Sequence, residues 1–205
     1  MRERFRRHPV TAGYLSAVAV LALLTRFVFA DGMSAQVRES LSTNAANLDD
    51  HPVNALLGSA FVLDPAGDGL VATGLALVGV AVCLGVLERE AGPWRAAAVV
   101  LAGHVGATFV TAFVISSGVY PIDLTDVVDV GPGYVACAAA GGITVLGPVV
   151  LRVPWLALLL AYPLAGAEWF GAVPEFAAVG QVAAVLIGLC AGAVAVGRAY
   201  AAVGR

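Results

Sequence analysis

The chain has 205 residues, of which 60% are hydrophobic and only 12% are charged, with a formal net charge of −3 at pH 7. A typical soluble domain is about 25% charged and about half apolar, so this composition excludes most soluble classes. The mean hydropathy of +0.91 predicts an integral membrane protein, and the 24 glycines suit close packing of helices in lipid.

Six apolar runs predict six transmembrane helices in an all-α polytopic membrane protein. Each run is long enough to cross about 30 Å of hydrocarbon at 1.5 Å per residue. The predicted spans cover residues 10–30, 70–87, 96–117, 133–151, 153–170 and 176–197, in a single domain over residues 1–205. The fourth and fifth spans are separated only by Arg152 and Pro154, which predict a tight turn because proline disfavours helix at the residue before it.

The charges predict how the spans are oriented. On a six-span topology with both termini cytoplasmic, nine of the eleven arginines lie on the cytoplasmic side, as the positive-inside rule requires. These are Arg2, Arg4, Arg6, Arg7, Arg89, Arg95, Arg152, Arg198 and Arg205. We expect the first apolar run to remain as a span, because it is longer than a typical signal core and has no clean small-residue cleavage site.

The loops are unequal in length. The first outer loop, residues 31–69, is long and contains apolar residues at roughly helical spacing, and Pro52 stands at a plausible first helical position. Such a loop is expected to lie in the outer interface of the membrane. Because the cytoplasmic loops are only a few residues long, the sequence predicts that function is organised at the outer face.

Short motifs in chain order resemble the pattern of the rhomboid family. They are Ser59-Ala-Phe61 before the second span, Leu87-Glu-Arg-Glu-Ala-Gly-Pro-Trp-Arg95 leading into the third, Asp129-Val-Gly-Pro-Gly133-Tyr134 opening the fourth, and Glu175-Phe-Ala-Ala-Val-Gly180-Gln181 in the sixth. The resemblance implies a six-helix rhomboid-like bundle with a long first outer loop. It also implies that Glu88, Gly92 and Arg95 form the structural turn between the second and third spans.

The same resemblance bears on catalysis. In rhomboid intramembrane proteases the nucleophile is a serine at the outer end of the fourth span and its base is a histidine in the sixth. Gly133 and Gln181 stand at those vestigial positions, and the second span has neither the family's histidine nor its asparagine. Glycine has no nucleophilic atom and a glutamine amide does not accept a proton, so the resemblance implies a pseudoprotease.

Three polar residues are candidates for a cleft or ligand-binding site. Gln181 could contact a ligand at the former catalytic position or form an interhelical hydrogen bond, and Tyr134 could donate its hydroxyl to it. His104 lies within the third span, where ionisable residues are costly and often functional. A simple hydrogen bond to a neighbouring helix explains His104 equally well.

Gly180, Gly188 and Gly192 form a stripe of small residues in the sixth span. In a six-span bundle this stripe predicts close packing against the fourth span, where Gly141 and Gly142 are also small. The three cysteines lie in apolar runs without a Cys-x-x-Cys pair, and there is no histidine cluster, so neither a metal nor another cofactor is expected.

The function predicted from these observations is binding of transmembrane segments of client proteins within the membrane lipid. Two alternatives remain: an intramembrane serine protease with a rearranged nucleophile and base, or a small transporter, which is weakened by the absence of paired intramembrane charges. Nucleic acid is not an expected partner, because the only basic cluster lies at the amino end. The lysine-free, alanine- and valine-rich sequence favours a bacterial plasma membrane.

Overall fold

The structure is a computed structural model that describes residues 8–28, 33–64, 69–122, 124 and 127–203. Its helices are α1 (Pro9–Phe27), α2 (Met33–Leu41), α3 (Ala45–Asp50), α4 (Pro52–Gly58), α5 (Leu70–Gly79), α6 (Gly85–Ala91), α7 (Pro93–Ser116), α8 (Gly133–Ile143), α9 (Val149–Gly166) and α10 (Phe176–Val203). A π-helical turn, Val80–Leu84, joins α5 to α6. Two short 3₁₀ segments, Ser59–Phe61 and Thr144–Leu146, follow α4 and α8.

Five helical stretches among the described residues are long and apolar enough to cross a membrane, so the chain is a multi-pass membrane protein. They are Pro9–Phe27, Leu70–Ala91, Pro93–Ser116, Val149–Gly166 and Phe176–Tyr200. The predicted fourth span corresponds to a shorter apolar segment, Gly133–Leu146. Its 11 helical residues and the 3 of the following turn extend roughly 22 Å, less than the hydrocarbon thickness of about 30 Å.

The short helix α8 is the centre of the bundle. It packs mainly against α7 and α10, and nearly all of its residues from Tyr134 to Gly142 are buried. Small side chains permit this approach, since a Cβ atom on Gly141 would collide with the Val185 carbonyl oxygen of α10. The apolar core beside it includes Leu84 and Leu87 of the second span, both fully buried.

The turn between the fourth and fifth spans lies earlier than the sequence predicts, so the predicted boundaries at residues 151 and 153 are wrong. The helical segment ends at Leu146 and α9 begins at Val149. Pro148 has φ −61° and ψ 145°, which is extended and not helical geometry. Gly147 is also extended, with φ −72° and ψ 161°, because proline disfavours helical geometry at the residue before it. Arg152 lies inside α9, and its guanidinium donates to the carbonyls of Val145 and Gly147 at 2.8 and 3.0 Å.

The connections between the long helices add short elements to the bundle. Helices α2, α3 and α4 occupy the long first loop, where the sequence predicts interfacial helices. Before α10, strands β1 (Trp169–Phe170) and β2 (Val173–Pro174) form a small antiparallel hairpin. Gly171 provides its turn with a φ of 70°, which glycine adopts without steric cost.

Candidate functional site

Gly133 and Gln181, which are 48 positions apart in the sequence, meet where α8 packs against α10. A Cβ atom on Gly133 would lie 3.6 Å from the Gln181 Nε2 atom, an ordinary van der Waals distance. Gly133 is the first residue of α8, and both residues are half-buried. A side chain at position 133 would therefore touch residue 181 directly.

The Gln181 side chain forms no hydrogen bond with the described residues. Within the part of the chain that the structure describes, its amide has no hydrogen-bond partner, so the interhelical hydrogen bond considered from the sequence is not formed there. A primary amide can donate two hydrogen bonds and accept two. Gln181 is therefore a half-buried polar group available to a ligand or a neighbouring chain.

Tyr134 does not fill the gap beside Gln181, contrary to the sequence-based expectation. Its hydroxyl donates to the Asp129 Oδ2 atom at 3.0 Å, and its ring covers Gly180 of α10. A Cβ atom on Gly180 would lie 2.5 Å from the Tyr134 hydroxyl oxygen, so the ring occupies the space that a side chain would need. The sequence could not distinguish Asp129 from Gln181 as the partner, because both are near Tyr134 in a rhomboid-like alignment.

Asp129 joins the loop between α2 and α3 to the segment that precedes α8. Its carboxylate also accepts a hydrogen bond from the Thr43 hydroxyl at 3.0 Å, and its amide donates to the Ser42 hydroxyl oxygen at 2.8 Å. The Thr43 amide donates to the Asp129 carbonyl at 3.0 Å. We call Ser42, Thr43, Asp129 and Tyr134 the Asp129 cluster.

The environment of the Asp129 carboxyl has opposing effects on its ionisation. Burial raises its pKa above the ordinary value because water no longer solvates the anion, while the hydrogen bonds from Thr43 and Tyr134 act in the opposite direction. Burial is the larger effect. The carboxyl is therefore protonated more readily than an exposed aspartate.

His104 lies deep in the bundle on α7 and contacts the end of α4. Its Nε2 atom is 2.9 Å from the Leu56 carbonyl oxygen and 3.2 Å from the Ser59 hydroxyl. A carbonyl only accepts hydrogen bonds, so Nε2 carries a proton and donates it. The buried Nδ1 atom has no hydrogen-bond partner among the described residues. The Tyr134 ring lies nearby, with its centroid 6.0 Å from the centroid of the His104 ring.

A family model described as rhomboid-like protein matches residues 3–201. The chain belongs to the rhomboid-like protein family. No match is found among curated proteins or among solved structures.

In this rhomboid-like protein the predicted turn residues Glu88, Gly92 and Arg95 have different roles. The buried Glu88 carboxylate accepts hydrogen bonds from the first turn of α1, while Gly92 adopts a φ of 87° between α6 and α7. The exposed Arg95 donates weakly to the Ala91 carbonyl at 3.3 Å. Only Gly92 and Arg95 thus act at the turn itself, and Glu88 instead ties the turn to the first span.

The glycine stripe of the rhomboid-like protein lies against α8. A Cβ atom on Gly188 would collide with the Ala138 carbonyl oxygen, and one on Gly192 would lie 2.5 Å from the Gly142 Cα atom. These positions are therefore limited to glycine by neighbouring backbone. The described residues include no group of three or more His, Cys, Asp or Glu side chains that could hold a metal ion.

Proposed function

We propose that this rhomboid-like membrane protein does not hydrolyse peptide bonds and instead binds transmembrane segments of other membrane proteins. The observation that carries the proposal is the proximity of Gly133 and Gln181, since a Cβ atom on Gly133 would lie 3.6 Å from the Gln181 Nε2 atom. The two positions that meet at the outer end of α8 provide neither a nucleophile nor a general base. What they do provide is a half-buried amide whose donors and acceptor form no hydrogen bond with the described residues.

The proposal includes a topology. Six passes with both termini in the cytoplasm agree with the arginine distribution in the sequence. The short α8 would be the fourth pass, and its enclosure by other helices lets it end short of a membrane surface. The composition favours the plasma membrane of a bacterium.

A client helix has room to approach the bundle. Helix α9 has one buried residue, Pro163, along its 18 residues, and α1 has two, Thr11 and Val18. Within a membrane, association of helices depends on van der Waals packing and on interhelical hydrogen bonds. The Gln181 amide would supply such a hydrogen bond to a polar group of a client segment.

A specific observation favours a second candidate, a serine hydrolase that uses Ser59 and His104. Their side chains are 3.2 Å apart, within the reach that a nucleophile and its base require. Two features oppose this function. Ser59 is only 1% exposed, and the proton on His104 Nε2 is donated to Leu56, which leaves no lone pair on Nε2 to accept the serine proton.

Labelling with a fluorophosphonate separates the two candidates. The protein is purified in a bilayer mimetic, and wild type is compared with Ser59→Ala and with the double variant Gly133→Ser, Gln181→His. The serine fits at position 133, because the nearest atom to its Cβ is at 3.6 Å. We expect labelling of the double variant only.

Labelling of wild type that disappears in Ser59→Ala would overturn the proposal and establish the hydrolase. Client binding is tested separately, with a photo-crosslinking residue at Leu158, which is 58% exposed on α9. The expected result is crosslinking in the membrane to a discrete set of single-span proteins. If only lipid is crosslinked there and at exposed positions of α1, the binding role is wrong.

A further inference from the structure

A cleft of about 380 Å³ separates the second span from α9 at the end of α8. Its walls include Val86 of α6, Ile143 at the end of α8, Thr144 and Leu146 after it, and Leu151, Arg152 and Trp155 of α9. None of its lining residues is acidic. The cleft is thus an apolar groove with one cationic side chain at its mouth.

The arginine of this cleft is held in place and is still able to bind an anion. Arg152 donates from Nε to the Gly147 carbonyl and from Nη2 to the Val145 carbonyl. A guanidinium has five N–H donors in a rigid fork, so three remain. The fork matches the oxygens of a phosphate group.

The surroundings of Arg152 indicate that the cleft opens to lipid. The neighbouring side chains Val149, Val150 and Val153 are 72%, 79% and 74% exposed. A run of exposed valines is expected where the surface faces hydrocarbon. The Trp155 side chain is half-buried, and its indole nitrogen donates to the Ala140 carbonyl at 3.2 Å, which fixes it as a wall of the cleft.

We propose that this cleft binds one anionic phospholipid, with the phosphate on Arg152 and an acyl chain along the apolar wall. The lining favours an anionic lipid over a client helix, because a single arginine stands beside apolar walls and no acidic residue lines the cleft. An acyl chain is narrower and flexible, and the cationic mouth selects an anionic headgroup.

The test measures lipid binding to the full-length protein in detergent by thermal shift. Phosphatidylglycerol and phosphatidylcholine with identical acyl chains are titrated, and sodium phosphate is the third probe. We expect phosphatidylglycerol to bind about fivefold more tightly than phosphatidylcholine, the effect of one arginine on an anionic lipid. Sodium phosphate is expected to produce no shift, because it lacks the chain that fills the groove.

Three variants assign the binding to the cleft. Arg152→Gln should abolish the preference for phosphatidylglycerol. Gly147→Leu keeps Arg152 but fills the groove, and should weaken the binding of both lipids. The backbone accepts a side chain there, because φ is −72° and the nearest atom to an added Cβ is 3.8 Å away. The matched control Arg89→Gln removes an exposed arginine that pairs with Glu90 outside the cleft, and should leave the preference unchanged.

Equal affinity of wild type for the two lipids would overturn the proposal, as would an affinity for both lipids that Gly147→Leu leaves unchanged. A shift with sodium phosphate equal to that with phosphatidylglycerol would reassign the site to a free anion. If Arg152→Gln fails to fold because it loses its hydrogen bonds to the end of α8, Gly147→Leu alone decides the question.

Discussion

The Glu88 carboxylate binds Thr11 across 77 positions of sequence. Its Oε2 atom accepts hydrogen bonds from the Thr11 amide at 2.9 Å and from the Thr11 hydroxyl at 2.8 Å. The Oε1 atom accepts a third from the Val10 amide at 2.8 Å. These amides are among the unsatisfied donors of the first turn of α1, so a residue of α6 caps the first span and neutralises the positive end of its dipole.

The first prediction is that Glu88→Gln destabilises the protein strongly. Glutamine has one acceptor oxygen in place of two, so its NH₂ group would face a backbone N–H donor of α1 and leave both donors unsatisfied. Hydrogen bonds to a charged group contribute about 1.5–3 kcal/mol each, so we expect the free energy of unfolding to fall by about 3 kcal/mol. Unfolding in mixed micelles with a denaturing detergent measures the change.

The control is Glu90→Gln, two residues along the same helix. Glu90 pairs with Arg89 at 2.8 Å on the surface, where the arginine side chain is 66% exposed. Such exposed pairs contribute about 1 kcal/mol or less. Equal loss of stability in the two variants would contradict the capping role of Glu88.

The role of Glu88 marks a limit of what the sequence could predict. Hydropathy predicts the spans because each is a continuous apolar run, and the multi-pass architecture follows from that. The partner of Glu88 depends on how α1 packs against α6, which no local pattern encodes. The rhomboid resemblance places Glu88 near the right turn without identifying the amides that it binds.

The sequence misplaces the boundary after α8 for a different reason. Residues 133–170 are almost continuously apolar, and Arg152 is their only charge before Glu168, so hydropathy and charge both favour a break there. The available signal was the dipeptide Gly147-Pro148, since glycine followed by proline commonly ends a helix. By contrast, the resemblance implies that Gly133 and Gln181 are neighbours, because their motifs lie on two packed helices, and a Cβ atom on Gly133 would lie 3.6 Å from the Gln181 Nε2 atom.

The second prediction concerns the packing of α10 on α8. Gly188→Ala should destabilise the fold severely, because the added Cβ would collide with the Ala138 carbonyl oxygen, a backbone atom that cannot rotate away. We expect a loss of at least about 2 kcal/mol, in the range of overpacked cores. The yield of folded protein in detergent, followed by thermal melting, measures it.

Gly197→Ala on the same helix is the matched control. A Cβ atom on Gly197 would have nothing within 4 Å, and alanine favours helix over glycine by about 1 kcal/mol. This variant should be as stable as wild type or more so. If Gly188→Ala has the same melting temperature as Gly197→Ala, α8 and α10 do not pack as described.

The third prediction is a pH dependence carried by the Asp129 cluster. Burial raises the pKa of Asp129 above the ordinary value of 3.8, so the folded protein binds the proton more tightly than the unfolded chain. Its contribution to stability therefore increases as the pH falls through the raised pKa, and levels off below the ordinary value. Above that window the burial of the anion costs stability.

Asp129→Asn removes this titration and keeps one side-chain oxygen to accept from Tyr134 or Thr43. Melting temperatures of wild type and variant are compared between pH 4 and pH 8, where we expect the variant to be relatively more stable at the high end. The comparison is made as a difference, because burial and the nearby Glu168 also raise the pKa of Glu175. Parallel curves for the two proteins would show that Asp129 titrates alike in folded and unfolded chains.

The fourth prediction assigns the Ser59 and His104 pair to structure. His104→Ala removes the hydrogen bond to Leu56, opens a cavity in a buried region and leaves a carbonyl unsatisfied, so we expect a loss of about 2–3 kcal/mol. Ser59→Ala leaves that bond intact and should cost about 1 kcal/mol. Unfolding in mixed micelles provides both values. The double variant should cost about as much as His104→Ala alone, because that substitution already removes the contact between Ser59 and the imidazole.

If Ser59→Ala were instead as damaging as His104→Ala, the hydroxyl and not the Leu56 carbonyl would be the principal partner of the imidazole. Nε2 would then be free to accept the serine proton, and the argument against a hydrolase would lose its chemical basis.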